Sequence, residues 1–149
     1  MAETLGSLTD KLTIKNIRLE HLLSGKVKVP GLKEKIMIVS QQRDCLIAEI
    51  DDFIKSAVKG RVRLKELKVK LYNKPQKNEI AGGLGKLINE LAVTNSRLWK
   101  LEDEVRKTGA SDKYIVKTKR NIDVVNQKRN DLIDGIDGFL EKKIESEKH

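Results

Sequence analysis

The chain repeats itself. Displaced by 79 residues, Leu5, Gly6, Leu8, Leu12, Asn16, Arg18 and Leu19 fall on Leu84, Gly85, Leu87, Leu91, Asn95, Arg97 and Leu98. Displaced by 86, Ile36, Val39, Gln41, Arg43, Leu46, Ile47, Ile50, Asp51 and Phe53 fall on Ile122, Val125, Gln127, Arg129, Leu132, Ile133, Ile136, Asp137 and Phe139, with Asp51 on Asp137 and Ile50 on Ile136. The blocks keep their order. The seven-residue difference in offset reads as a longer hairpin tip in the second copy.

The matched positions step by three and four. Leu84, Leu87, Leu91, Thr94, Leu98, Leu101 and Val105 form one apolar helical stripe, and Ile122, Val125, Arg129, Leu132, Ile136 and Phe139 form another. Each copy is therefore a long helical hairpin. A stripe needs a partner to be buried, so two hairpins predict an all-α four-helix bundle made by tandem duplication.

Breakers set the boundaries. A first helix runs from about Glu3 to Ser24 and stops at Gly25. A second follows Pro30-Gly31, from Leu32 to Lys59, and ends near Gly60. A third spans about Gly83 to Thr108, with Gly109 suited to a left-handed cap, and Ser111 caps a fourth reaching about Glu145. Gly135 and Gly138 inside the fourth helix read either as local fraying or as a close helix crossing. The whole is one helical domain, 1–149, with copy one at 3–60, a linker at 61–81 and copy two at 82–145.

A chain of 149 residues can bury a core without staples. Its charged content of 36% exceeds the roughly 25% of ordinary domains, as long solvent-washed helices require. Cys45 is the one cysteine, so no intramolecular disulfide is possible and a reducing compartment is expected. No apolar run is long enough for a membrane span, and the N-terminus lacks a secretory layout. The expected location is cytoplasmic.

The net charge of +9 is concentrated. Between Lys55 and Lys77 nine basic residues face one acid, Glu66, which leaves +8 there. Arg61, Arg63, Lys65, Lys68 and Lys70 are the candidate anion-binding residues of this basic linker. The alternative is a charged surface resting on the acidic side of the bundle. Tyr72 is its only aromatic, which argues against base stacking, and no motif supports sequence-specific nucleic-acid binding.

Polar residues flank the stripes of copy two. Asn95, Trp99, Glu102 and Arg106 share one face of the third helix, with Asp103 beside them. Asn126, Arg129 and Asn130 line the fourth. Arg129 lies within the apolar stripe, and a buried guanidinium needs a carboxylate, so Glu102 or Asp103 is its expected partner. Arg43 occupies the same place in copy one and is expected to find Glu20 or a residue of copy two. The set reads either as a structural network fixing bundle register or as a ligand pocket walled by Trp99.

The segment Leu98-Trp99-Lys100-Leu101-Glu102-Asp103-Glu104-Val105-Arg106, with Lys119-Arg120-Asn121-Ile122-Asp123 and Asn126 to Asp137, resembles an uncharacterised bacterial domain-of-unknown-function family. Its signature reads L-W-H-x-E-D-x-x-R, then K-R-x-I-D-x-x-N-Q-x-R-N-D-x-I-E-x-I-D. The resemblance implies a helical fold and no established activity. Lys100 stands where that signature has histidine.

Histidine catalysis has little to work with, since His21 and His149 are the only two, and His21 reads as a surface helix residue. Cys45 reads as a small packed side chain. No cofactor is expected. The one metal considered is Mg²⁺, on Asp131, Asp134 and Asp137, which fan over about 120° of helix surface. The expected function is a non-enzymatic helical binding or scaffold protein that self-associates. The alternatives are a small-ligand or Mg²⁺-phosphate site on copy two and an anion-binding module in the linker.

Overall fold

The computed structural model describes residues 2–26, 28–64, 82–107 and 109–147. Among these it is all-helical, without a strand. The helices are α1 (Leu5–Leu23), α2 (Leu32–Val58), α3 (Leu84–Arg106) and α4 (Asp112–Glu147). Thr108, the expected end of α3, lies outside the described residues.

Local chemistry explains the ends. Thr4 is extended and starts α1 with a reciprocal cap: its hydroxyl oxygen accepts the Ser7 N–H at 3.1 Å, and the Ser7 hydroxyl oxygen accepts the Thr4 N–H at 2.8 Å. Gly31 takes a left-handed φ of 68° to turn the chain into α2, a conformation that a Cβ would penalise. The Ser111 hydroxyl accepts the Tyr114 N–H at 3.2 Å at the start of α4, as its sequence position predicts.

The helices pair as two hairpins, α1 with α2 and α3 with α4. α1 is the shared element, because it also packs on both α3 and α4. The extensive packing of α2 is with α1 alone. The core is one cluster that includes Leu5 and Leu8 of α1, Leu46, Phe53 and Ala57 of α2, Leu87 and Leu91 of α3, and Leu132, Ile136 and Leu140 of α4. Leu91, Leu132 and Ile136 have no exposed surface, and each such side chain contributes on the order of 1.5–3 kcal/mol of apolar burial. Val62 and Leu64, just beyond α2, pack against the same cluster.

The stripes land where the 3.6-residue period puts them: Val39 and Val125 are both buried, as are Leu46 and Leu132. The flanks differ. Ile133 of α4 is half-buried, whereas Ile47 of α2 is 45% exposed. Met37, Ile38 and Val58 of α2 are also uncovered, so this helix carries apolar surface beyond what α1 covers.

Two expectations are corrected here. Cys45 is exposed, not packed, because one step along a helix turns about 100° and carries it off the Val39–Leu46–Phe53 stripe. Gly135 and Gly138 neither fray nor mark a close crossing. Both are helical, a Cβ at Gly135 would meet Leu87 at an ordinary 3.8 Å, and one at Gly138 would meet nothing within 4 Å. The close approach falls at Gly6, where a Cβ would lie 2.4 Å from the Ile133 carbonyl oxygen.

Candidate functional site

Two of the polar residues of α3 and α4, Asn95 and Arg129, converge on a residue of α1. Asp10 of α1 is 4% exposed. Its Oδ1 accepts from Arg129 Nε at 2.9 Å and from Asn95 Nδ2 at 2.9 Å, and its Oδ2 accepts from Arg129 Nη2 at 2.5 Å. The second Asn95 N–H goes to the Thr13 hydroxyl at 2.7 Å, and that hydroxyl donates to the Asp10 carbonyl. One carboxylate therefore ties α1 to α3 and α4 through a two-pronged guanidinium pair, the strong form of such a contact.

Arg129 does not pair with Glu102 or Asp103. The stripe that carries it faces α1, whereas Glu102 is exposed and Asp103 pairs with Arg106 at 3.7 Å on the surface. The hydrogen bonds to Asp10 raise the guanidinium pKa against the opposing effect of its partial burial. The charges of Asp10 and Glu102 add to the rise. Arg43, the sequence equivalent of Arg129, pairs with its neighbour Asp44 at 3.1 Å and, among the described residues, with neither Glu20 nor a residue of α3 or α4.

A second buried contact lies about one turn earlier on α1. The Gly6 N–H, in the first turn, donates to Asp137 Oδ1 at 2.7 Å. The carboxylate meets the positive end of the α1 dipole, and the missing side chain lets the Ile133 backbone of α4 come against the helix. Gly6 and Asp137 are both buried.

The expected ligand set is thus divided. Asn95 and Arg129 meet at Asp10. Trp99 is half-buried against His21 of α1, with ring centroids 5.4 Å apart and planes tilted by 60°. His21 is accordingly an aromatic packing residue and not a free surface side chain. Asn126 is half-buried, while Glu102, Arg106 and Asn130 are exposed.

The three aspartates of the metal hypothesis have separate settings. Asp131 is 3% exposed, with Oδ1 accepting from Gln127 at 2.9 Å and Oδ2 without a partner. Asp137 holds Gly6, and Asp134 is half-buried. Among the described residues no three His, Cys, Asp or Glu side chains are grouped to hold a metal ion. Of the anion-binding candidates, Arg61 and Arg63 are exposed, alternating with half-buried Val62 and Leu64. Lys65, Lys68 and Lys70 lie outside the described residues. No described helix is long and apolar enough to cross a membrane.

Sequence reasoning missed Asp10 and His21. The available signal was the polar set Thr9, Asp10 and Thr13, which shares one side of α1 beside the Leu5–Leu8–Leu12–Leu19 stripe. Residues 76–149 match the model of a family described as "Protein of unknown function (DUF4254)", a span that includes all three stretches that carry the resemblance. No curated protein and no solved structure gives a significant match to the chain.

Proposed function

Taking residues 76–149 to belong to the DUF4254 family, we propose that the chain is a tandemly duplicated helical hairpin acting as a non-enzymatic binding scaffold that self-associates. The observation that carries this reading is the contrast between interior and surface. The Asp10 carboxylate is saturated by Arg129 and Asn95, so it presents no open charge to a substrate. α2, in contrast, leaves Met37, Ile38, Ile47 and Val58 in water, on a helix packed extensively along α1 only. Apolar surface left on both flanks of a buried stripe is area that a partner would cover. An exposed thiol at Cys45 accords with the reducing, cytoplasmic setting read from the sequence.

Sedimentation velocity of the full chain, from micromolar to near-millimolar concentration, tests the proposal. The expected result is reversible association that the Ile47→Asp/Val58→Asp variant abolishes without lowering its melting temperature. A chain that stays monomeric throughout sinks it.

One observation favours a second reading, an anionic partner met by the basic linker. Val62 and Leu64 anchor the start of that segment on the core, which leaves Arg61 and Arg63 outward. Heparin retention that falls sharply when Arg61, Arg63, Lys65, Lys68 and Lys70 are neutralised would support it.

A further inference from the structure

Each copy contributes one glycine at the second residue of its first helix and one isoleucine–aspartate pair on its second helix. Gly6 of copy one meets Ile133 and Asp137 of copy two. The remaining members are Gly85 on α3 and Ile47 with Asp51 on α2, and they do not meet. Gly85 is exposed, and a Cβ there would touch nothing within 4 Å. Ile47 is 45% exposed, and Asp51 is exposed and makes no hydrogen bond or ion pair among the described residues. The chain thus closes one clasp inside itself and leaves both halves of the sequence-equivalent clasp open to solvent.

We propose that these two halves join between two copies of the chain. The start of α3 in one copy docks on the Ile47–Asp51 face of α2 in its partner, and the partner returns the same contact. The inference rests on the duplicated, self-associating reading above and names the surface that reading uses. A second copy is the fitting occupant because both complementary halves are on every chain, the condition for a closed two-fold dimer.

Charge supports the pairing. On the Ile47 side of α2 the exposed acid without a partner among the described residues is Asp51, since Asp44 there is paired with Arg43 at 3.1 Å. The first turn of α3 carries exposed Lys86 next to Gly85 and has no side-chain cap among the described residues, and the dipole there favours a carboxylate. The chemistry is that of the internal clasp: a side-chain-free approach at glycine, an isoleucine against the backbone, and a carboxylate on the helix start.

The test combines association with directed cross-linking in the full chain. Gly85→Leu places its side chain in open space within a single copy, so its melting temperature should not fall. In a dimer it blocks the approach and should weaken association roughly tenfold or more, the scale of losing a hydrogen bond to a charged group. In a Cys45→Ser background, a mixture of Ala48→Cys and Lys86→Cys chains, both exposed positions that flank the contact and leave Gly85, Ile47 and Asp51 in place, should form a disulfide-linked pair on mild oxidation, and neither chain alone should do so. Dimers that survive Gly85→Leu and fail to cross-link in the mixture overturn this interface while leaving self-association standing. A chain monomeric at every concentration overturns both.

Discussion

Asp10 of α1 and Arg129 of α4 form a two-point ion pair, with Nε on Oδ1 at 2.9 Å and Nη2 on Oδ2 at 2.5 Å, although 119 residues separate them. The carboxylate side chain is 6% exposed and the guanidinium side chain 31%. Removing the carboxylate strands Arg129 and one Asn95 N–H in a largely dry site. Asp10→Ala should therefore destabilise the chain by about 2–4 kcal/mol in urea titration, the range for breaking a buried charged pair from one side. Arg129→Met in the same background should cost much less than it does alone, because the charge to be satisfied is gone. An Asp10→Ala chain with an unchanged urea midpoint would show that the pair contributes nothing net.

Gly6 and Gly85 are sequence equivalents in unlike surroundings, which makes the same substitution diagnostic. At Gly6 an added Cβ would collide with the Ile133 carbonyl at 2.4 Å. Relieving that clash must move α1 away from α4 and lengthen the bond to Asp137. Gly6→Ala should cost about 2–3 kcal/mol, as overpacked contacts do. At Gly85 the space is open, and alanine is the better helix former by up to about 1 kcal/mol. Gly85→Ala should melt at or above the parent temperature, measured below the onset of association. Equal shifts at both sites would show that the close approach at Gly6 is not what constrains it.

The helices were legible because their signals are local. Leu91, Leu98, Leu132 and Ile136 recur at helical spacing, and Gly25, Gly31, Gly60 and Gly109 punctuate the chain where its backbone takes a positive φ. The partner of Arg129 was not legible, because helical periodicity gives the direction of a side chain on its own helix and not which neighbouring helix it will meet. Glu102 and Asp103 looked nearest on a two-helix hairpin, but Asp10 wins because α1 packs over the same stripe. The unequal fates of Ile47 and Ile133 were hidden for the same reason. The two positions share a residue type and a register, and only the docking of α1 against α4 separates them.

Asp131 and Asp137 are both buried aspartates of α4, and neutralising them should have opposite effects. Asp137 accepts the Gly6 N–H at 2.7 Å, a bond strengthened by its charge. Asp137→Asn should destabilise by about 1.5–3 kcal/mol. Asp131 has one oxygen bonded to Gln127 and the other without a partner at 3% exposure. An asparagine there relieves an incompletely satisfied buried charge, so Asp131→Asn should be neutral or stabilising by about 1 kcal/mol. Since Asp131, Asp134 and Asp137 are not grouped around a common point, millimolar Mg²⁺ should leave the parent melting curve in place. A Mg²⁺-dependent rise that Asp131→Asn removes would restore the metal hypothesis.

The α3–α4 tip carries a pH-dependent clasp. Lys107 Nζ donates to Glu104 Oε1 at 2.6 Å, and the Tyr114 hydroxyl donates to Oε2 at 2.8 Å. These two bonds hold the Glu104 carboxyl below its ordinary 4.5. The bond to Glu104 holds Lys107 above its ordinary 10.5, and the same carboxylate raises the Tyr114 phenol above 10.0. The signs set a window. A lowered acid stabilises the tip above pH 4.5, and that support is lost as the pH falls through its folded value. The raised phenol and ammonium act below about pH 10, and their support is lost as the pH rises through theirs. In a Tyr72→Phe chain the phenolate absorbance reports Tyr114 alone. Its titration should begin above the ordinary range and drop toward it in Glu104→Gln, while amide exchange around Lys107 to Tyr114 becomes faster in that variant at neutral pH. A Tyr114 titration unmoved by Glu104→Gln would mean that the clasp does not form in solution.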